Sequence, residues 1–332
     1  MKIGLRIDVD TFRGTMTFEI ESCFYCLLVV ASICLGMKTK VLAQDIETYG
    51  YYNFISNEYP DKSCSTSEEN DSLFSSLRSF DDWPREKKVL ALNLAAVGAI
   101  AAVGAAQWDY GDSTFRTESE GWFGYDSKYG GADKLGHSFG AYSLTAVYDS
   151  IYKHWGYSDE QAIWGGALSS WSLMTLTEIG DGFSSSQGFS WEDEVMNTAG
   201  VAMAYMRYQF PHLKDKVDFR VEWFPSFSFR NGKKNDPFTD YSGQKYLLAF
   251  KPDGFFKTGD PILKALEIHL GYYIRGYTSD DLHFNGKHRI GYIAIGLNVT
   301  YLMEKLTGHR ASGIFDYIQV PYTYVPSSGR YD

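Results

Sequence analysis

The chain has 332 residues, enough for one large domain or two ordinary ones, and can bury a sizeable core without disulfide staples. Its 41 Asp and Glu outnumber 31 Lys and Arg, and the basic residues form no dense patch, which argues against a phosphate-backbone partner and so against nucleic acid. Aromatic residues make up 17% of the chain, with 25 Tyr, 22 Phe and 8 Trp. Rings of this kind gather at membrane interfaces and in aromatic-rich sheets, so composition points to the cell envelope.

The opening stretch Gly4-Leu5-Arg6-Ile7-Asp8-Val9-Asp10-Thr11-Phe12-Arg13-Gly14-Thr15 resembles the start of the formamidoarabinose-phosphoundecaprenol deformylases, of the polysaccharide-deacetylase class. That resemblance implies that Asp8 and Asp10 are a general base and a metal ligand. It stops near Thr15, and the seven histidines, at 137, 154, 212, 269, 283, 288 and 309, supply no H-x-x-x-H pair to complete such a metal site. The other reading of residues 1–15 is a vestige, a fusion scar or a misplaced start, with Met16 the initiator.

All four cysteines, Cys23, Cys26, Cys34 and Cys64, lie in the first fifth of the chain. Cys23 and Cys26 make a C-x-x-C with no second pair at metal spacing, inside an apolar run that ends near Met37. The run has the length of a signal-peptide core, and Val41-Leu42-Ala43 precedes a cut site at Gln44, so export is expected. Glu19, Glu21 and Lys38-Thr39-Lys40 depart from the signal pattern, and Ile33 before Cys34 spoils a lipobox. Residues 1–44 are thus an N-terminal segment, and the polar, aperiodic residues 45–83 a linker.

Residues 84–212 read as a helical domain. Residues 89–108, VLALNLAAVGAIAAVGAAQW, carry no charge and are long enough to match a bilayer core at about 1.5 Å rise per residue. A buried central helix of a soluble fold is the alternative. Three further helices are expected at residues 133–155, 159–179 and 191–209, delimited by Gly130-Gly131, Gly156, the Gly/Ser loop 180–188 and Pro211. Each is more polar than a lone lipid-facing span tolerates, so the four should pack together, in a membrane or against its surface. Ser190 and Asp193 make an S-x-x-D start for the last helix.

These helices carry the one polar constellation of note. Asp133 with His137, and Asp193 with Asn197, sit four apart, so each pair shares a helix face, and Glu178 and Asp181 lie near the end of the helix between. Convergence of Asp133, His137, Glu178 and Asp193 allows three chemistries. They are a metal site, acid/base catalysis, or a buried network that includes Lys134 and pins the helices. Asp133, His137, Glu178 and Asp193 are the catalytic candidates, Lys134, Asp181 and Asn197 the binding candidates, and neither a resident metal nor another cofactor is assigned.

Glu120-Gly121-Trp122-Phe123-Gly124, Gly130-Gly131-Ala132-Asp133-Lys134-Leu135-Gly136-His137, Glu178 with Asp181-Gly182-Phe183, and Phe189-Ser190 leading to Asp193, Asn197 and Gly200 together resemble the YfiM-like predicted periplasmic lipoproteins. The D-K-x-x-H, Glu, D-x-x-x-N-x-x-G order is similar, more loosely, to VanZ-like membrane proteins, a family linked with glycopeptide tolerance. The resemblance spans roughly residues 80–325 and implies a periplasmic or membrane location without an activity.

Past Pro211 the period changes from 3.6 to 2, which marks residues 213–332 as a β region. Strands are expected at residues 218–223, 245–251, 266–275, 293–301 and 314–324, with turns such as Asn231-Gly232 and Asn285-Gly286 and with His283 and His288 in loops. Four to five strands are too few for an outer-membrane barrel, so an antiparallel sheet with one face on the helices or at a bilayer interface is expected. The fold class is α+β. The leading function is a membrane-associated envelope protein of structural or accessory role, at the inner membrane or its periplasmic face, with membrane lipids and other envelope proteins as partners. The alternative is a lipid-linked hydrolase or lipid-headgroup binder using the Asp/His/Glu group, and a deacetylase-type deformylase is a remote third.

Overall fold

The computed structural model describes residues 80–234, 236–278, 284–308 and 313–331. The expectations for Asp8 and Asp10, the cysteines, the exported segment, most of the linker, and the histidines at 283 and 309 lie outside the described residues. Within them the chain is α+β, with helices followed by a five-stranded antiparallel sheet.

Four long helices come first: α1 (Arg85–Gln107), α2 (Ala132–His154), α3 (Asp159–Gly182) and α4 (Trp191–Gln209). Their ends follow local chemistry. Ser158 opens α3 in a reciprocal cap with Gln161, and Ser190 Oγ accepts from the Asp193 amide at 3.3 Å to open α4, as the S-x-x-D spacing implies. α2 packs on both α3 and α4. Two glycines permit this closeness: a Cβ on Gly200 of α4 would run into the Ser138 carbonyl and Ala141, and one on Gly166 of α3 would meet the Thr145 carbonyl at 2.9 Å.

α1 lies along the outside of this group. Val89 and Leu92 pack against Tyr148, Ile151 and Tyr152, and Asn93 Nδ2 donates to the Tyr152 hydroxyl at 2.8 Å. Beyond these contacts and Gly104, which the Tyr110 ring covers, α1 is largely open: its apolar stretch has mean hydropathy 2.1 over an 18-residue window of which only 11% is buried. That exposure contradicts the buried-central-helix reading.

The sheet has the order β1 (Val217–Trp223), β2 (Gln244–Phe250), β3 (Leu266–Arg275), β4 (His288–Leu297), β5 (Tyr324–Tyr331), each antiparallel to the next. Its outer edges are drawn together. The Val221 amide donates to the Tyr317 carbonyl, and the Gln319 amide to the Val221 carbonyl, both at 2.9 Å, so the chain entering β5 touches β1. This curl turns one face inward, and that face is the polar one: Asp218, Arg220, Glu222, Glu267 and His269 are all buried. Arg220 reaches Glu267 at 2.8 Å and Asp218 at 2.5 Å, and His269 Nε2 lies 3.1 Å from Glu267.

The apolar face splits in two. Under β1 and β2 it meets α2, where Phe219 and Tyr246 pack with Tyr142 and Phe139. Over β3 to β5 it faces outward, with Ile268, Leu270, Ile293, Leu297 and Val325 exposed and Ile295 at 64%.

Three expectations of the β region need correction. The strand expected at residues 293–301 stops at Leu297, because Asn298 Oδ1 accepts from the Tyr301 amide at 3.0 Å and caps a helix, α5 (Val299–Thr307). The strand expected at residues 314–324 is replaced by a short 3₁₀ turn, Gly313–Asp316, and β5 starts only at Tyr324. Its YVPSSGRY sequence has little alternation and a proline that only an edge strand tolerates. His288 opens β4 and is not a loop residue.

Candidate functional site

α2, α3, α4 and the loop before α2 bring the polar constellation together. The loop is held by backbone pairing with the turn after α3: the Arg116 amide donates to the Gly182 carbonyl at 2.8 Å, and the Glu118 amide to the Phe189 carbonyl at 2.9 Å. Glu120 is thereby carried to the start of α2. Asp133 and His137 extend from α2, Glu178 and Asp181 from the last turns of α3, and Asp193 and Asn197 from the first turns of α4.

Two groups share Asp193. In the first, the Lys134 ammonium, with no solvent exposure, donates to Glu120 at 2.9 Å, to Asp133 at 2.7 Å and to Asp193 Oδ2 at 2.9 Å. An ammonium supplies three donors, so three carboxylates saturate it. Burial disfavours its charge, but the acids outweigh that and hold the lysine firmly protonated. Glu120 and Asp133 titrate as a pair. Burial and the hydrogen bond with Glu120 push Asp133 up, while that bond and the charges of Lys134 and Lys128 keep Glu120 ionised against its own burial.

In the second group, His137 Nε2 lies 3.4 Å from Glu178 Oε1 and 3.8 Å from Asp193 Oδ1. Burial opposes the positive imidazole, but the charges of Asp193, Glu178 and Asp133 prevail and raise His137 to about 9. Burial, reinforced by Asp193 and Asp181, pushes Glu178 upward against the pull of His137. On the far side His137 Nδ1 is 3.2 Å from Asn197 Oδ1, and Asn197 Nδ2 donates to Glu194 at 3.3 Å. Because the amide nitrogen is taken by Glu194, the oxygen faces the ring, and Nδ1 carries the hydrogen. The Ser190 amide donates to Glu178 Oε2 at 3.2 Å. The His137 side chain retains 19% exposure, whereas Glu178 and Asp193 are almost wholly enclosed.

All seven residues named from sequence therefore lie in or beside one cluster. Asp181 is the most peripheral, raised to about 6 by burial, against the opposing charge of His137. Glu120, Glu192 and Glu194 are participants that sequence spacing did not nominate. Glu192 accepts from Ser119 and from Ser190 Oγ. Glu120 stands in an irregular loop without a helical period, and only its place in the E-G-W-F-G string marks it.

The arrangement can hold a cation, move a proton between His137 and a carboxylate, or act as a structural clasp. A cavity of ≈ 610 Å³, lined by Trp108, Tyr129, Lys233, Lys234 and Tyr241 among others, does not include His137, Glu178 or Asp193. Tyr129 and Tyr241, rings 4.5 Å apart, both line it, and the charges of Glu120 and Asp133 act on both hydroxyls.

Residues 119–209 match the model of a family described as predicted periplasmic lipoprotein (DUF2279). The match encloses every residue of the cluster, from Glu120 to Asn197, and its description carries a location and a class of protein. It does not reach residues 1–15, and nothing matched supports the deformylase expectation there. No curated protein and no solved structure matches the chain.

Proposed function

We propose that this chain is an envelope protein of accessory or structural role, held at a membrane by α1 and by the outward apolar faces of α3, α4 and the sheet. The observation that carries this reading is the reversal of the usual distribution of polarity. Leu90, Leu94, Trp164, Leu168, Leu176 and Trp191 are exposed, while Asp133, Lys134, Glu178, Asp193 and Asn197 are buried. Soluble monomers rarely expose large apolar patches, and lipid is the solvent in which exposed aliphatic and indole side chains are at no disadvantage. The periplasmic description of the matched family fits the same place. Trp83 and Lys88 at one end of α1 and Trp108 at the other suit the interfacial positions that amphipathic rings and lysines prefer.

Membrane fractionation with carbonate extraction tests the reading. The intact chain should stay in the pellet, and recovery in the soluble fraction would contradict it. Asp133→Ala and His137→Ala variants scored for both abundance and envelope phenotype add the second axis. Loss of protein indicates a structural clasp, and loss of phenotype at normal abundance indicates chemistry.

A second reading, a lipid-linked hydrolase or headgroup binder, is favoured by one specific feature. His137, Glu178 and Asp193 converge beside the partly open edge of the imidazole, a geometry that a purely structural network does not need.

A further inference from the structure

We infer that His137, Glu178 and Asp193 form a binding site for a divalent transition-metal ion, with zinc the representative. One ligand atom from each, an imidazole nitrogen and two carboxylate oxygens, falls within 4.8 Å of the other two. Ligands placed tetrahedrally about 2.1 Å from zinc are separated by about 3.4 Å. The His137 Nε2 to Glu178 Oε1 distance is 3.4 Å and the His137 Nε2 to Asp193 Oδ1 distance 3.8 Å, so the two edges that meet at the imidazole nitrogen already lie within a few tenths of an ångström of that separation.

The three side chains are also aimed. Asn197 accepts from His137 Nδ1 and leaves Nε2 toward the carboxylates, the orientation that outer hydrogen bonds impose on metal-binding histidines. The Ser190 amide holds Glu178 Oε2 and turns Oε1 inward, and Lys134 holds Asp193 Oδ2 and turns Oδ1 inward. Each ligand thus has its second polar atom pinned on the outside.

Asp193 Oδ1 supplies an independent sign. Asp193 is 2% exposed, and among the described residues Oδ1 has no hydrogen-bond partner. A buried carboxylate oxygen without a donor is costly, and an ion in the direction it faces removes that cost. The neighbouring carboxylate triad of Glu120, Asp133 and Asp193 meets the same distance criterion but surrounds the Lys134 ammonium, which already serves as its cation. Two carboxylates balance the charge of a divalent ion. A mixed nitrogen and oxygen set suits zinc or manganese better than calcium or magnesium. Three protein ligands beside a partly exposed ring match sites that keep one coordination position for water or a substrate oxygen.

The ion would be held whether or not the outer faces meet lipid, so failure of either reading leaves the other standing. The test uses the full-length chain in detergent, stripped with a chelator and titrated with zinc by calorimetry and with cobalt by visible absorption. The expected result is one saturable equivalent per chain and a cobalt spectrum without thiolate charge transfer. His137→Gln and Asp193→Asn should abolish uptake, Asn197→Ala should weaken it roughly 10- to 100-fold, and the remote His154→Gln should change nothing. Far-UV circular dichroism shows which variants are folded. Should His137→Gln or Asp193→Asn fail to fold, zinc-edge absorption on the unaltered chain must show nitrogen and oxygen ligands at about 2.0–2.2 Å. No saturable uptake, thiolate ligation, or uptake undiminished in folded His137→Gln would overturn the proposal.

Discussion

Replacing Lys134 with methionine separates a structural clasp from an ornamental ion pair. The ammonium is fully enclosed and bonded to three carboxylates at 2.7–2.9 Å, two of them on α2 and α4 and the third on the loop that precedes α2. Methionine keeps the volume and removes the charge, so Glu120, Asp133 and Asp193 lose their shared cation while still held close. Breaking a buried pair by removing one partner costs about 3–5 kcal/mol, because an uncompensated charge stays behind. At about 2–4 °C per kcal/mol for a unit of 150–250 residues, the midpoint should fall by roughly 6–20 °C. The assay is tryptophan fluorescence on heating, in detergent, read beside Lys128→Met. Lys128 also touches Glu120, at 2.7 Å, but its side chain is 23% exposed, so the control should lose about 1 kcal/mol or less. A Lys134→Met midpoint within about 2 °C of the unaltered chain, or equal to that of the control, would refute the reasoning.

Other expectations follow from the packing. Gly200→Val should block the approach of α4 to the Ser138 carbonyl and lower stability by at least 1–3 kcal/mol, read by chemical denaturation, with Gly98→Val, which meets nothing, as the neutral comparison. Ser190→Ala should cost about 1 kcal/mol of thermal stability through loss of the α4 cap. Within the curled sheet, burial raises Glu267, but His269 and Arg220 outweigh it and hold the carboxyl below its usual range. A depressed carboxyl stabilises the fold above its unfolded pKa of about 4.3 and loses that contribution as pH falls through the folded value. Denaturation from pH 7 to pH 3 should therefore show the gap between the unaltered chain and Glu267→Gln narrowing below about pH 4. A gap that stays constant with pH would contradict the assignment.

Much of the helical half was legible in the sequence because its signals are local. Gly131, Ser190 and Pro211 sit at helix ends, and the four-residue spacings of Asp133 with His137 and Asp193 with Asn197 fix shared faces before any tertiary contact is known. Convergence of those faces with Glu178 was a reasonable expectation. The roles of Glu120 and Glu192 were not visible, since they depend on how a loop 13 residues before Asp133 lies against α4. In the sheet, period 2 located β1 to β3 but could not say which face is inside. Alternation reads the same whether the aliphatic side chains point to a core or to lipid, and only the curl that buries Arg220, Glu267 and His269 decides it. The end of β4 was missed because the Asn298 cap outweighs the β-branched Val299 and Thr300, and β5 because Pro326 and Gly329 interrupt its pattern.

The central claim is that aliphatic surface faces lipid while charge is kept inside, and spin-label accessibility measures it directly. Cysteines at Leu94 and Ile295, each more than 60% exposed, and at the exposed polar position Asp159 would be labelled in a chain reconstituted into vesicles, after the native cysteines are replaced. Labels at 94 and 295 should be relaxed by oxygen and shielded from a polar nickel chelate, and the label at 159 should show the opposite preference. Ready access of the nickel chelate to positions 94 and 295 would contradict the account.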